Sequence, residues 1–476
     1  MKKIFLLFIS SLLVFTSCDK GFEDLNTDPN NASIVDPNLL LGNAFFGTAN
    51  ITYSTGVAGD QGSCWAEQWS KVQYNDEARY SPRSGTSNDI WSLYDRIQEF
   101  KDAEKLALAK GDDLVAGVAI TMQAMVYQVL TDLFGDVPFS EANLGATGNF
   151  TPKYDRQEDI YAGLIALYDD AISKLSSGDG SITPSTDRIF SGDATKWLKF
   201  AASLKFRALM RISNATNVTN SALQNIDAQL TALLPNLMTS NEDSAYMHYF
   251  EASPSANPFF ETIKEGNRIE YRIATTLVDL MSNSNDPRLA KYAQPTPDGN
   301  GIVGAGIGVS DLPNSQYNYN NTSQIGTDFL KPETPAYFLR YAEVEFLKAE
   351  AAQRGLISGS AAEFYANGIT ASFNEVGALG ATAFIAANSL NANTALKQIG
   401  EQKWVALFGQ GFESWIEWRR TGFPVLSGAV NPIEITSIPV RYTYPGEEQS
   451  RNAANYNDAV ASQGADLLTT KVWWNK

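Results

Sequence analysis

Residues 113–134 place Val115, Val118, Ala119, Met122, Val126, Val129 and Leu133 on one wide apolar face, and Gly135 and Pro138 follow directly. Steps of three and four residues are the signature of a helix that buries one side. Glycine followed by proline is an efficient stop. The same pattern recurs along the chain. Residues 88–109 align Ile90, Leu93, Tyr94, Ile97 and Phe100, and residues 159–175 align Ile160, Leu164, Leu167, Tyr168, Ala171 and Leu175. Asp193 is a natural N-cap for a helix carrying Trp197, Ala201, Leu204, Ala208 and Ile212 inward. Helices are expected again over 337–355 and 361–376, joined by a turn with Gly355 and Gly359. Ala349, Ala351, Ala352 and Gly368 allow that pair to approach closely. One further amphipathic helix is expected over 396–418. Antiparallel pairs with small contact residues predict a mainly α fold with tetratricopeptide-type helical hairpins. The irregular period points to a few embedded repeats rather than an array. No strand–helix alternation supports a barrel or a doubly wound sheet.

Between these blocks the chain changes character. Residues 217–335 are rich in Asn, Ser, Pro and Gly, with one helix expected near 271–283 and loop elsewhere. A long loop-rich insert in a compact protein is usually functional. The scaffold is therefore expected over 88–214 and 337–424, with 217–335 as an insert in a single domain spanning 34–476. The tail, 437–474, reads as short apolar strands or turns separated by Pro439, Pro445 and Gly446.

The N-terminus carries its own message. Lys2 and Lys3 precede an apolar run, Ile4 to Phe15, broken only by Ser10 and Ser11, and Thr16 and Ser17 lead into Cys18. The run is shorter than the roughly 20 residues that span a bilayer, so residues 1–17 read as a cleaved export signal. The stretch from Leu13 to Cys18 resembles a bacterial lipobox, which implies acyl chains on Cys18 and a membrane anchor. One chain anchors weakly and two or three hold firmly. Residues 18–33 are polar and turn-rich, a lipidated tether. Cys64 is then the only other cysteine, so no disulfide framework forms. Its apolar-aromatic setting suggests a small buried hydrophobe.

Charge and histidine content narrow the function. The formal charge is −17, and −19 once Lys2 and Lys3 leave with the signal. So acidic a body argues against nucleic acid as a partner. His248 is the only histidine, which excludes a multi-histidine metal site and gives a Ser-His-Asp arrangement one candidate in an aromatic setting. Residues 298–304 formally contain G-x-G-x-x-G, but Pro295 and Pro297 precede it and no helix follows, so it reads as a loop. Carboxylates are plentiful, yet no stretch singles out a glycosidase pair. No metal or cofactor is expected.

The feature that points toward a ligand is aromatic rings in polar loops. Trp65, Trp69, Tyr74 and Tyr80 fall between turns ahead of the helix at 88, and Tyr317 and Tyr319 lie among Asn and Gln. An aromatic ring offers an apolar face with a polar tip, suited to stacking on sugar rings or peptide side chains. Neighbouring amides can bond hydroxyls as donors and acceptors. These six are the expected ligand-binding residues.

Several segments then carry a family resemblance: Leu130 to Ala142, which includes the run GDVPFSEA; Tyr341 to Ala352; Glu401 to Glu413; Ile438 to Pro445; Asn452 to Asn455; and the closing Val472-Trp473-Trp474. Together they resemble the SusD/RagB family of outer-membrane nutrient-binding lipoproteins, in its SusD-like branch. The resemblance implies helical hairpins caging a loop-rich ligand face. It also implies display at the outer membrane, facing the cell exterior, as a lid over a SusC-type TonB-dependent transporter that delivers glycans or oligosaccharides, with no enzymatic activity. Its motif residues read as structural: Gly135 and Pro138 end a helix, Trp404, Phe408 and Phe412 are core, and Arg419 or Arg420 pairs with acids. Peptide cargo, an exported glycan hydrolase and a purely structural seal on the transporter remain alternatives.

Overall fold

The computed structural model describes residues 35–309 and 316–476. The signal, Cys18 and the tether lie outside the described residues, as do residues 310–315.

The first helix is one the apolar pattern does not reveal. Helix α1, Pro37–Thr52, begins where Asp36 accepts a 2.9 Å bond from the Asn38 amide, with proline at the first helical position. The helix expected over 88–109 is two, α2 (Thr86–Trp91) and α3 (Leu93–Ala109). The break falls at Ser92, whose hydroxyl bonds the Asp89 carbonyl at 2.6 Å and competes with the helical ladder. Helix α4, Asp113–Phe134, is capped by Asp112, and α5 (Gln157–Ser177) and α6 (Ala194–Ile212) follow. Asp193 caps α6 as expected, accepting from the Thr195 and Lys196 amides. Helices α1 and α3 to α6 pack each on the next as antiparallel hairpins. Helix α4 is long and apolar enough to cross a membrane, but 89% of that window is buried inside the fold. It is a core helix.

The insert is more ordered than its composition indicates. It holds α7 (Ile226–Leu233), α8 (Thr275–Asn283), α9 (Leu289–Tyr292) and one strand of each of two short antiparallel ladders. Strand β1, Trp69–Lys71, pairs with β3, Tyr271–Ile273; strand β2, Ala245–Met247, pairs with β4, Ala336–Leu339. The start of the expected 337–355 helix is therefore strand β4, claimed by pairing with β2. The helix itself, α10, runs Tyr341–Gln353 and packs on α11, Ala361–Glu375, as the expected hairpin. The short α12, Ala381–Ala387, follows.

The helix expected over 396–418 also divides, into α13 (Ala395–Ala406) and α14 (Gly411–Thr421). A Cβ on Gly411 would lie 2.1 Å from the Ala58 carbonyl oxygen, so the start of α14 sits backbone-on-backbone against the π-helical segment Thr55–Ser63. Continuing α13 straight on would lose that contact. The tail, expected as strands or turns, forms α15 (Gly446–Arg451) and α16 (Ala453–Gln463). Gln463 at the end of α16 donates to the Phe134 carbonyl at 3.1 Å, tying the tail to the exit of α4.

The two helical blocks meet across buried charge. Arg211 of α6, 1% exposed, pairs with Asp132 of α4 at 3.3 Å and with Glu413 and Glu417 of α14. Lys403 of α13 reaches Glu417 at 2.8 Å, and Arg420 joins Glu417 to Glu350 of α10. Arg419 instead donates to the carbonyls of Asp132 and Val440. Burial alone would raise Glu417, but Arg420, Lys403 and Arg211 hold it well below the usual carboxylate range. Asp132 and Glu343 go the other way: burial raises the Asp132 carboxyl against Arg211 and, helped by Glu413, pushes the Glu343 carboxyl up to about 7 against Arg207 and Lys403. Removing one partner from such a lattice strands the others in a dry interior.

Candidate functional site

The β1–β3 ladder carries the loop aromatics. Trp69 faces inward, with ring centroids 4.8 Å from Phe259 and 6.1 Å from Tyr271. At the other end, Lys71 and the Tyr271 hydroxyl both bond one carboxylate oxygen of buried Asp60, at 2.9 and 2.6 Å. This buried ion pair, with the Tyr271 hydroxyl bonded to the same oxygen, fixes the short ribbon.

The chain leaving β1 turns outward through Tyr74, whose φ is +51° and whose side chain is 55% exposed. Arg268 lies 5.5 Å from its ring centroid and is anchored at 2.6 Å to Glu270. Half-buried Tyr319 donates its hydroxyl to Gln73 at 2.7 Å. The Arg272 guanidinium lies 5.2 Å from the Tyr319 ring and donates to the Thr322 hydroxyl and the Tyr319 carbonyl. Tyr317 rests against Gly306, where a Cβ would lie 2.9 Å from the ring, and the Gly306 carbonyl accepts from Ser70 of β1 at 2.7 Å. Tyr74, Tyr317 and Tyr319 are thus gathered around one ribbon.

Tyr317 also lines a cleft of about 640 Å³. Thr275, Thr276 and Asp279 of α8 form one wall, Lys397 and Glu401 of α13 another, and residues 424–430 a third. Burial lifts the Glu401 carboxyl above its ordinary range against the pull of Lys397, 3.8 Å away. The third wall hangs on one buried carboxylate. Glu67 accepts from the Ser427 amide at 3.2 Å, the Ser427 hydroxyl at 3.1 Å, the Gly428 amide at 2.6 Å and the Thr276 hydroxyl. A cleft of this size with a few fixed polar groups is what small-ligand sites require.

Three of the six expected ligand residues are in the core instead. Trp65 is fully buried, donates to the Glu77 carbonyl at 2.9 Å and packs on Trp415 and Tyr442. Trp69 is fully buried beneath the ribbon. Tyr80, also buried, accepts a 2.7 Å bond from the Ala429 amide and so pins the third wall from behind. Polar, turn-rich sequence around these rings resembles an exposed loop, but the segment is covered by α14 and by chain more than 300 residues away. Cys64 is buried as expected, with its thiol pushed up by burial, which makes it inert. The His248 ring lies tilted against Tyr246, centroids 4.5 Å apart, its pKa lowered by burial and Arg188. Among the described residues no group of His, Cys, Asp and Glu is arranged to hold a metal.

Residues 29–445 match the family described as SusD-like, "starch-binding associating with outer membrane". The chain belongs to the SusD-like family. Among solved structures, a chitin-binding protein shares 28% identity and a TM-score of 0.79, over 92% of this chain and 100% of its own. A SusD homologue from Bacteroides uniformis has 23% identity and a TM-score of 0.80, over 92% and 99%. A chitin-binding SusD homologue from Flavobacterium johnsoniae has 23% identity and a TM-score of 0.79, over 92% and 98%. The last two comparisons establish the SusD-like fold. No curated protein matches the chain by sequence.

The SusD-like scaffold explains which residues a sequence reading overlooks. Glu67 carries no local motif, because the amides it collects lie about 360 residues away. The wall at 424–430 follows α14 as unremarked loop. Only Gly428, at φ +80°, marks a backbone position that an ordinary side chain would strain.

Proposed function

We propose that this SusD-like protein binds glycans or oligosaccharides on the face built around the β1–β3 ribbon and passes them to a TonB-dependent transporter as a lid. The observation that carries the reading is the gathering of Tyr74, Tyr317 and Tyr319 beside a 640 Å³ cleft. Rings steadied by a neighbouring guanidinium or a hydroxyl bond stack on sugar faces at low entropic cost. The family description and the chitin-binding relative support a glycan over a peptide. Acyl chains on Cys18 and a polar tether would hold the body at the outer surface while letting it swing.

Calorimetry with starch-derived and chitin-derived oligosaccharides tests the binding. Saturable binding to one class, without release of shorter products, is expected. Hydrolysis above background would overturn the reading in favour of an enzyme. Co-purification with a TonB-dependent transporter, lost when the described body is expressed without its tether, tests the lid.

A further inference from the structure

A second recess, of about 470 Å³, lies apart from the ribbon, between α9, the 3₁₀ turn Thr327–Leu330, the start of β4 and the end of α11. Its walls share no residue with the 640 Å³ cleft. Half-buried Phe329 lines it, held edge-on against Phe408 at 4.7 Å and Tyr292 at 5.5 Å. Tyr337 lines it too, with the Arg340 guanidinium 4.0 Å from its ring centroid. These are fixed apolar faces inside a concave wall.

Its charges do not cancel. Arg340 is paired with Glu375, and Lys331 with Asp328 at 2.5 Å. Lys291, half-buried in the wall, has no carboxylate within 4 Å among the described residues. Its field reaches Asp328, whose carboxyl is kept below its ordinary range first by the bond from Lys331 and then by both lysines. An ammonium in a concave wall with no carboxylate at bonding distance is open to a charge-assisted bond with an arriving anion. Low-dielectric walls concentrate its field on the recess. The protein as a whole is strongly acidic, at −17, so a local positive excess here is set against the general charge.

We infer that this recess is a second binding site, for a single acidic sugar residue whose carboxylate meets Lys291 while its ring lies against Phe329 and Tyr337. The volume falls in the range of small-ligand pockets, roughly 300–1,000 Å³. Carboxylate recognition by a half-buried ammonium is a charge-assisted bond, shorter and stronger than a neutral one.

Calorimetry on the full chain with D-glucuronate, D-glucose and N-acetylalanine decides it. The inference expects D-glucuronate to bind at least about tenfold more tightly than D-glucose. Lys291→Gln should weaken D-glucuronate about tenfold, Lys291→Arg should restore most of it, and Tyr319→Ala should leave it unchanged. No D-glucuronate binding, or binding that Lys291→Gln does not weaken, overturns the site. N-acetylalanine binding as tightly as D-glucuronate overturns the sugar assignment, and a loss on Tyr319→Ala would place the uronate on the ribbon face. Failure of the ribbon to bind oligosaccharides would leave these readouts unaffected.

Discussion

The scaffold and the ribbon face use arginine in opposite ways. At the junction of the helical blocks, Arg211 is surrounded by Asp132, Glu413 and Glu417, and every helix that meets there contributes a charge. At the ribbon, Arg272 is as deeply buried, yet it donates to a hydroxyl and three carbonyls, with Tyr319 beside it. Burial lowers its pKa to about 10. The first arrangement locks helices to one another. The second holds a loop and its ring in place without consuming a carboxylate, and leaves the Tyr319 ring half-buried rather than in the core. At the junction of the helical blocks rigidity comes from paired charge, whereas at the ribbon the Tyr319 ring is held by a guanidinium that pairs with no carboxylate among the described residues.

The sharpest way to break this contrast is to remove Arg211. Arg211→Met should cost about 3–5 kcal/mol, because three buried carboxylates lose a partner. Denaturant unfolding checks it, and a loss under 1 kcal/mol would mean the lattice does not hold the blocks together. Trp69→Ala should cost a similar 3–5 kcal/mol, as a fully buried ring, whereas Tyr74→Ala should fall within about 0.5 kcal/mol of wild type. Equal losses for the two would erase the distinction between core and presented rings.

Glu343 tests the lattice through pH. Its folded carboxyl titrates near 7 against an ordinary value of 4.5, so between these values the folded state holds a proton that the unfolded state has released. The sign follows: this group's contribution falls as pH rises from about 4.5 to 7. Glu343→Gln should remove that slope, gaining about 1–3 kcal/mol at pH 7 relative to pH 4.5, as read from melting at several pH values. The smallest effect is expected at Tyr80. Tyr80→Phe deletes the bond from the Ala429 amide and should cost about 1 kcal/mol, with faster amide exchange confined to residues 424–430.

The scaffold was legible because its helices obey one local rule. Periodic apolar faces, the Asp193 cap and the 361–376 partner of the hairpin all depend on residues within a few turns of one another. Helix α1 escaped because it is apolar on most sides and follows a polar stretch. The 396–418 helix divides because of a contact between Gly411 and Ala58, which no local pattern records. The ribbon face was half legible for the same reason. Tyr74, Tyr317 and Tyr319 stay at the surface, but Trp65, Trp69 and Tyr80 are covered by chain from the far end of the sequence. Composition says that rings are present in loops, and only topology says which loops are covered.

The account rests on ring faces at the ribbon binding sugar, and one measurement addresses it directly. Once an oligosaccharide that binds the wild-type protein is in hand, its affinity for Tyr74→Ala/Tyr319→Ala should be measured beside the melting temperature. The account predicts at least about a tenfold loss of affinity with melting within a few degrees of wild type. Undiminished binding by a folded double variant would contradict it.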